Sequence, residues 1–217
     1  MSLHYSACRF LLGGLVGALS GWEVRGREHV PKTGTVIVAS NHISFWDPLL
    51  VGTAAVREQH FLAKEELFRP PVFGWLIRSF NAMPIRRGVA DLRGLTKAME
   101  VLRAGRSLIL FPEGTRARGG ELREARPGVG LLAVSTDAQV VPTCIGGSDR
   151  PRKWLLRQRR LRVDFGPART WRELAGADAG LEPGRTLYES VGAGVMREIA
   201  ALRSHQLDSA ARGTATP

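Results

Sequence analysis

Short apolar runs rich in branched residues alternate with helical segments over most of this chain, and this alternation restricts its fold more than any other feature. Residues 35–40 (TVIVAS), 107–111 (SLILF) and 139–145 (QVVPTCI) are typical of strands buried on both faces of a sheet. Residues 92–102 carry leucine and methionine at helical spacing, and Gly105 follows as a suitable stop. The pattern predicts an α/β fold: a single layered domain with a mostly parallel sheet flanked by helices.

The predicted elements divide the chain into one domain with two flanking segments. The predicted strands are 35–40, 61–64, 83–85, 107–111, 139–145 and 161–165, and the predicted helices are 49–57, 66–80, 92–102, 128–136 and 186–203. Pro70 and Pro71 are expected to interrupt the second helix, because proline removes a helix hydrogen bond. Residues 1–21 are predicted to be an apolar, membrane-associating helical segment, 22–204 the main domain, and 205–217 a disordered tail.

The chain is strongly basic. Lys and Arg number 31 against 20 Asp and Glu, which gives a formal net charge of +11 over 217 residues. Such a surface attracts polyanions, that is, nucleic acid, anionic lipid or phosphorylated metabolites. Aromatic residues make up only 7%, and we find no helix-turn-helix or RNP-like pattern, so nucleic acid is not expected as a partner. The 2 cysteines are too few for a disulfide framework.

The first 22 residues contain an apolar stretch, 10–19, that is shorter than the roughly 20 residues needed to span a bilayer. Three interpretations remain open: a signal peptide, a buried helix of the domain, or a helix in the membrane interface with Trp22 near the headgroups. Arg9 is the only Arg or Lys ahead of the apolar stretch, which weakens the first interpretation. The interfacial helix is the interpretation we favour.

A histidine and an aspartate, His42 and Asp47, lie in the segment NHISFWD, directly after the predicted strand 35–40. Ligand crevices of open α/β sheets lie at the carboxyl ends of strands. On one continuous helix this spacing would place the two residues about 140° apart, so they can meet only across a turn. Asp47 can then hydrogen-bond one imidazole nitrogen and leave the other to accept a proton. The alternative is that Asp47 only caps the next helix and His42 is a loop residue.

A second polar segment, FPEGTR at residues 111–116, also follows a predicted strand. It opens at the same sheet edge if that strand is parallel to the first. Gly114 permits a left-handed backbone there. Arg116 is a candidate phosphate ligand, because a guanidinium binds oxyanions as a planar fork, and Glu113 is expected to order the site. The alternative is a local ion pair between Glu113 and Arg116.

Taken together, NHISFWD and FPEGTR resemble the two signature blocks of the glycerolipid acyltransferase family, which includes the lysophosphatidic acid acyltransferases. The resemblance runs from residue 22 to 166. Further segments agree in the same order along the chain: 63–68 (AKEELF), 83–87 (MPIRR), 126–128 (RPG) and 141–143 (VPT). In the second of these, Arg86 stands where the family commonly has an acidic residue.

The resemblance implies transfer of a fatty acyl group from acyl-CoA or acyl carrier protein to the free hydroxyl of lysophosphatidic acid, giving phosphatidic acid. It implies that residues 22–204 form an acyltransferase domain in which His42, oriented by Asp47, is the general base. No metal or other cofactor is expected, because a thioester is already activated. Other acceptors with the same chemistry stay open: glycerol-3-phosphate, another lysophospholipid or a glycolipid. The substrate-binding residues that the resemblance implies are Arg116, Glu113, Gly114, Thr115, Arg87 and Lys64.

The segment 150–162 (RPRKWLLRQRRLR) places seven basic residues around Trp154, Leu155 and Leu156. Such a mixture suits an anionic bilayer, where each basic residue contributes about 1 kcal/mol. The alternative is a solvated basic strand edge. Together, this basic segment and the N-terminal apolar segment predict peripheral or monotopic association with the cytoplasmic face of the cell membrane. The anionic membrane surface would then be a partner. A basic nucleic-acid- or lipid-binding module without catalysis is the competing class.

Overall fold

Seven strands form one sheet that carries helices on both faces, in a computed structural model that describes residues 3–85, 92–117, 121–158 and 160–213. The prediction of an α/β fold with a mostly parallel sheet is therefore confirmed. The strands are β1 Glu23–Arg25, β2 Val36–Ser40, β3 Gln59–Lys64, β4 Ala82–Ile85, β5 Ser107–Leu110, β6 Gln139–Gly146 and β7 Arg162–Phe165. The α-helices are α1 Leu3–Ser20, α2 Asp47–Ala54, α3 Pro71–Ser79, α4 Leu92–Arg103, α5 Gly128–Thr136, α6 Pro151–Leu155, α7 Trp171–Ala175 and α8 Arg185–Gly213.

Strand β2 lies at the centre of the sheet, whose order is β1-β7-β6-β2-β5-β3-β4. It pairs in parallel with β5 on one side and with β6 on the other. The antiparallel pair is β6 with β7. Because β2, β5 and β6 run in the same direction, the loops that follow them emerge at one edge of the sheet.

The alternation of side chains along β2 explains why the sheet has a core on each face. Val36 and Val38 pack on the face covered by α1, α2, α3 and α6. Ile37 and Ala39 pack on the opposite face, under α4, α5, α7 and α8. All five residues of β2 are buried, as expected for a central strand that is covered on both sides.

Helix α1 buries one face against the domain and leaves an apolar face exposed. The hydroxyl of Tyr5 donates to the carbonyl of Gly52 at 3.2 Å and accepts from the amide of Gln59 at 3.2 Å, which fixes α1 to α2 and β3. The exposed apolar side chains of α1 are Leu3, Phe10, Leu11, Leu15 and Leu19. Within the described residues, no helix combines the length and apolar character that crossing a bilayer requires.

The predicted interruption of the second helix at Pro70-Pro71 is confirmed. A 3₁₀ helix covers Glu65–Phe68, and α3 then starts at Pro71, where the missing amide costs no hydrogen bond. Three of the strands and α-helices were not predicted: β1, α6 and α7. For α7 the sequence does contain a signal, since Thr170 and Glu173 form a reciprocal capping box at its first turn.

The basic segment 150–162 is only partly exposed to solvent. It contains α6, and Trp154 is only 6% exposed, in the core beneath α1. Arg162 is buried in β7, where it donates to the Asp164 carboxylate at 3.1 Å. Trp154 is therefore not part of the exposed basic and apolar mixture that this segment predicted, because its side chain packs in the same core cluster as residues of α1.

The C-terminal helix α8 is longer than predicted and continues through Gly213. Residues 205–213, which were expected to be disordered, are helical, and residues 214–217 lie outside the described residues. Gln206 is buried, and its side-chain amide donates to the carbonyl of Cys144 at 3.0 Å, which ties this part of α8 to β6. Alanine-rich sequence such as 210–211 also favours helix.

Helices α5 and α8 approach so closely at Gly130 that a side chain cannot fit between them. A Cβ atom at Gly130 would lie 2.1 Å from the carbonyl oxygen of Tyr188, whereas one at Gly128, in the same helix, would meet nothing within 4 Å. Gly130→Ala is therefore expected to lower the free energy of unfolding by about 1–3 kcal/mol through overpacking. Urea unfolding measures this, with Gly128→Ala as the matched control; equal stabilities of the two variants would contradict the close approach.

Candidate active site

The loops that follow β2 and β5, residues 41–46 and 111–117, lie side by side at the carboxyl edge of the sheet. The amide of His42 donates to the Glu113 carboxylate at 3.0 Å, and the amide of Ala117 donates to the carbonyl of His42 at 2.7 Å. The second loop thus binds both the backbone amide and the backbone carbonyl of His42. The prediction that NHISFWD and FPEGTR share one edge follows from the parallel pairing of β2 with β5.

The side chains of His42 and Asp47 meet across the turn that precedes α2. Nδ1 of His42 lies 2.9 Å from Oδ2 of Asp47, whose side chain is fully buried. The same oxygen accepts from the amides of Ile43 and Ser44, both at 2.7 Å. These amides belong to the turn before the helix, so Asp47 does not cap α2. Its carboxylate organises the turn and binds the imidazole.

The imidazole of His42 is held with one nitrogen left for chemistry. It stacks on the ring of Phe111, with centroids 4.1 Å apart and planes 25° apart. With the Nδ1 proton directed at the Asp47 carboxylate, Nε2 of a neutral imidazole carries the free lone pair. Among the described residues, Nε2 has no hydrogen-bond partner. The geometry suits an imidazole that accepts a proton from a molecule in the neighbouring cavity.

A cavity of about 640 Å³ opens beside His42. Its walls are mostly apolar and come from α2, β3, α3 and β5, and its polar groups lie near the two loops. Such a cavity is large enough for a long apolar ligand. Its apolar walls include Phe45, Leu49, Phe61, Leu67, Phe73 and Ile77, and its polar lining includes His42, Lys64, Glu66 and Arg116.

Within the hexapeptide FPEGTR, residues 111–116, Glu113 and Arg116 have separate roles. Glu113 is 3% exposed, and besides the His42 amide its carboxylate accepts from the amide of Arg123 at 3.2 Å. Glu113 and Arg116 both lie in the described part of the chain, and they form no ion pair there, so the local ion pair is excluded. Glu113 orders the backbone, while the guanidinium of Arg116 is exposed beside the cavity.

Two further arginines surround the hexapeptide. Gly114 has φ of +69°, and a Cβ there would lie 2.7 Å from Cδ and Nε of Arg126, so only glycine allows this arginine to pack against the loop. Arg123 donates from Nη1 to Oγ1 of Thr115 at 3.2 Å. These two side chains add positive charge to the loop that carries Arg116. The contact of Arg123 was not predicted, and no local pattern indicates it.

The remaining predicted ligands divide into one near the cavity and one that is outside the described residues. Lys64, at the end of β3, lines the cavity together with His42 and Arg116. The prediction for Arg87 falls in the segment 86–91, which lies outside the described residues. Of the predicted site residues that are described, the cavity therefore brings together His42, Lys64, Gly114 and Arg116, with Asp47 and Glu113 behind the two loops. Thr115 is not among the described lining residues, and its hydroxyl accepts from Arg123.

Two residues that sequence reasoning did not assign hold the site from the side of β6. The side-chain amide of Asn41 donates to the carbonyl of Ile145 at 3.0 Å and accepts from the amide of Ile145 at 2.8 Å. The hydroxyl of Ser148 donates to Oδ1 of Asp47 at 2.5 Å. Asn41 stands beside His42 in NHISFWD, but nothing in the sequence near Ser148 indicates its contact with Asp47.

The fold and the site define an α/β protein in which a histidine–aspartate pair and an arginine face one apolar cavity. The Acyltransferase family model matches residues 21–146, more than half of the 217-residue chain. The chain therefore belongs to the acyltransferase family, as the resemblance of its two signature blocks implies.

Curated relatives are similar over about two thirds of the chain. A 1-acyl-sn-glycerol-3-phosphate acyltransferase of Streptococcus pneumoniae is 31% identical over 164 residues, covering 71% of this chain and 60% of the relative. A lyso-ornithine lipid O-acyltransferase of Pseudomonas aeruginosa is 36% identical over 144 residues, covering 66% and 54%. This chain thus spans little more than half of the length of these relatives.

A solved structure has the same fold. The 1-acyl-sn-glycerophosphate (LPA) acyltransferase PlsC from Thermotoga maritima superposes with a TM-score of 0.63. The match covers 93% of this chain and 84% of that chain, at 24% sequence identity. The similarity supports the order and packing of the elements described above.

Proposed function

We propose that this protein transfers a fatty acyl group from a thioester, acyl-CoA or acyl carrier protein, to the free hydroxyl of lysophosphatidic acid. The single observation that carries the proposal is the His42–Asp47 pair at the mouth of an apolar cavity beside Arg116. The names of relatives such as the Streptococcus pneumoniae and Borreliella burgdorferi 1-acyl-sn-glycerol-3-phosphate acyltransferases support this choice of acceptor.

In the reaction, Nε2 of His42 removes the proton of the acceptor hydroxyl as its oxygen attacks the thioester carbonyl. The new C–O bond forms, the C–S bond breaks, and the protonated imidazole returns the proton to the departing thiolate. Asp47 keeps Nδ1 as the donor and stabilises the positive charge of the intermediate imidazolium. General base catalysis of this kind is typically worth about 10²–10⁴-fold.

The transfer is direct, without an acyl-enzyme intermediate on Cys144. Its thiol is almost fully buried, and burial raises the pKa of Cys144 to about 12, so the thiol stays protonated near neutral pH. A thioester is already activated and needs only a deprotonated hydroxyl and a place for the developing oxyanion.

The hexapeptide loop is the proposed source of donors for that oxyanion. At the start of α2, the amide of Asp47 donates to Ser44 and Pro48 has no N–H group, so this helix end offers little. In the loop, Gly114 and Arg116 line the cavity, and the amide of Gly114 already donates to the carbonyl of Phe111, so the amide of Arg116 is the proposed donor. Backbone amides are suitable donors because they need no reorganisation during the reaction.

Substrate binding follows from the division of the cavity into apolar and charged parts. The apolar walls, formed by side chains such as Phe61 and Ile77, suit a fatty acyl chain, for which each buried methylene contributes about 0.8 kcal/mol. Arg116 is the proposed ligand of the acceptor phosphate, and Lys64 adds positive potential at the same rim. No metal or other cofactor takes part in the proposed reaction.

The exposed apolar face of α1 supports association with an anionic membrane surface. Phe10 is 80% exposed and Leu15 57%, and the exposed Trp75 and Val72 of α3 extend this apolar surface, since the ring of Trp75 lies 6.0 Å from that of His4 on α1. Exposed basic residues of the segment 150–162 lie nearby, since α6 packs on α1 and Arg157 donates to the carbonyl of Ala18. We propose peripheral or monotopic binding at the cytoplasmic face of the cell membrane.

A second acceptor has specific support. The lyso-ornithine lipid O-acyltransferase of Pseudomonas aeruginosa is 36% identical to this chain, against 31% for the Streptococcus pneumoniae enzyme. Thiol release from oleoyl-CoA by the purified protein distinguishes the acceptors. It is measured separately with lysophosphatidic acid, lyso-ornithine lipid and glycerol-3-phosphate. Turnover of lyso-ornithine lipid alone would contradict the proposed acceptor but not the proposed reaction.

Removing the proposed base is expected to abolish turnover without unfolding the protein. His42→Ala should lower kcat for thiol release by about 10²–10⁴-fold, because the hydroxyl then lacks a base. His205→Ala, on the exposed end of α8, is the control and should keep the wild-type rate. Near-normal turnover in folded His42→Ala protein would refute the role of His42.

Removing the proposed phosphate ligand is expected to weaken acceptor binding. Arg116→Ala should raise KM for lysophosphatidic acid by about 10–100-fold, since a hydrogen bond to a charged group is worth about 1.5–3 kcal/mol. Arg103→Ala, an exposed arginine at the end of α4, should leave KM unchanged. An unchanged KM with a lower kcat in Arg116→Ala would instead indicate a role in ordering the loop.

Flotation with vesicles that contain phosphatidylglycerol tests the membrane surface. The wild type is expected to float with the vesicles, and Phe10→Asp or Leu15→Asp should lower the bound fraction, because each places a charge on the apolar face of α1. Leu207→Asp is the matched control, since Leu207 is 60% exposed on the distant helix α8. Equal binding of all three variants would contradict the assignment of this face.

A further inference from the structure

Ser148 is a fully buried residue whose hydroxyl contacts the proposed catalytic pair from behind. Its Oγ donates to Oδ1 of Asp47 at 2.5 Å, across a separation of 101 residues in sequence. Among the described residues, Ser148 does not line the cavity that contains the imidazole of His42. Any effect of this hydroxyl on the reaction must therefore pass through Asp47.

The two oxygens of the Asp47 carboxylate have different partners. Oδ2 accepts from Nδ1 of His42 and from the amides of Ile43 and Ser44. Oδ1 accepts from Ser148, which is its hydrogen-bond donor in the described part of the chain. Without that donor, one oxygen of a buried carboxylate would be unsatisfied, and the carboxylate would gain freedom to turn about its Cβ–Cγ bond.

The chain after β6 is built so that Ser148 reaches this position. Asn41 extends the pairing of β2 with β6 through its two hydrogen bonds to Ile145. Gly147 then turns the chain with φ of +84°, and a Cβ there would lie 2.2 Å from the carbonyl oxygen of Arg160, so only glycine fits. This turn directs the next residue, Ser148, back over the end of β2 and onto Asp47.

We propose that Ser148 is a positioning residue that fixes the plane of the Asp47 carboxylate, and through it the tautomer and orientation of His42. The inference rests on the proposed function, in which His42 is the general base. A hydroxyl in this place acts on the rate of proton transfer and leaves substrate binding unchanged, because Ser148 is fully buried and is not among the described residues that line the cavity. It is a third member of a Ser148–Asp47–His42 hydrogen-bonded series.

The kinetic test compares two fully buried serines. Ser148→Ala is expected to lower kcat for acyl transfer about tenfold, the equivalent of a barrier change of about 1.4 kcal/mol, with KM for donor and acceptor unchanged. Ser107→Ala is the matched control, because Ser107 is equally buried and donates to Oε1 of Gln59 at 2.7 Å at the opposite end of the sheet. It should lose stability but keep kcat.

A double-mutant cycle shows whether Ser148 acts through Asp47. In an Asp47→Asn background, adding Ser148→Ala should change kcat no further, since the carboxylate that the hydroxyl orients is already gone. Independent, multiplying effects of the two substitutions would overturn the inference. If Ser148→Ala does not fold, Ser148→Cys replaces it, because a thiol has a similar shape and is a weaker donor; a kcat equal to that of the wild type would then overturn the inference.

A spectroscopic measurement separates this inference from the proposed function. In wild-type protein, the imidazole ¹H–¹⁵N spectrum of His42 should contain a hydrogen-bonded Nδ1–H signal, which Ser148→Ala shifts or broadens and Ser107→Ala leaves in place. An unchanged signal in Ser148→Ala would overturn the positioning role, whatever the protein catalyses. Absence of acyl transfer by the wild type would overturn the proposed function alone.

Discussion

The burial of the Asp47 carboxylate is the constraint on which the rest of the site depends. A buried charge is costly unless hydrogen bonds replace its lost hydration, and here donors come from the turn before α2, from the imidazole and from the loop after β6. Those donors converge only because β2 and β6 run in the same direction and end at the same edge. The sheet topology and the geometry of the His42–Asp47 pair therefore depend on each other, because the carboxylate and the turn satisfy each other's hydrogen bonds.

Much of the fold and part of the site could be predicted from local sequence patterns. Strands β2, β5 and β6 are covered on both faces of the sheet. Strands of this kind are recognisable in the sequence as short, nearly continuous apolar runs. Once the strands are taken as parallel, the meeting of His42 and Glu113 at one edge follows. Local patterns do not contain the order of the strands, so the contact of Ser148 with Asp47, 101 residues apart, could not be predicted.

The failures of prediction have a common physical cause, namely that tertiary packing overrides local composition. The segment after His205 is small and polar, yet α8 continues there because Gln206 bonds to β6. Trp154 stands among basic residues, yet its ring is buried because α6 packs beneath α1. In both segments the local sequence indicates surface, and the partner that buries it comes from a distant part of the chain.

The paired loops at the sheet edge have a consequence for how ligands enter. The backbone of His42 is bonded on both sides to the hexapeptide loop, whose Glu113 carboxylate also holds the segment at Arg123. Swinging either loop outward would break both bonds between His42 and the hexapeptide loop, so this rim is a poor hinge. At these two described loops the rim is therefore preformed, and little ordering entropy is lost there when a ligand arrives.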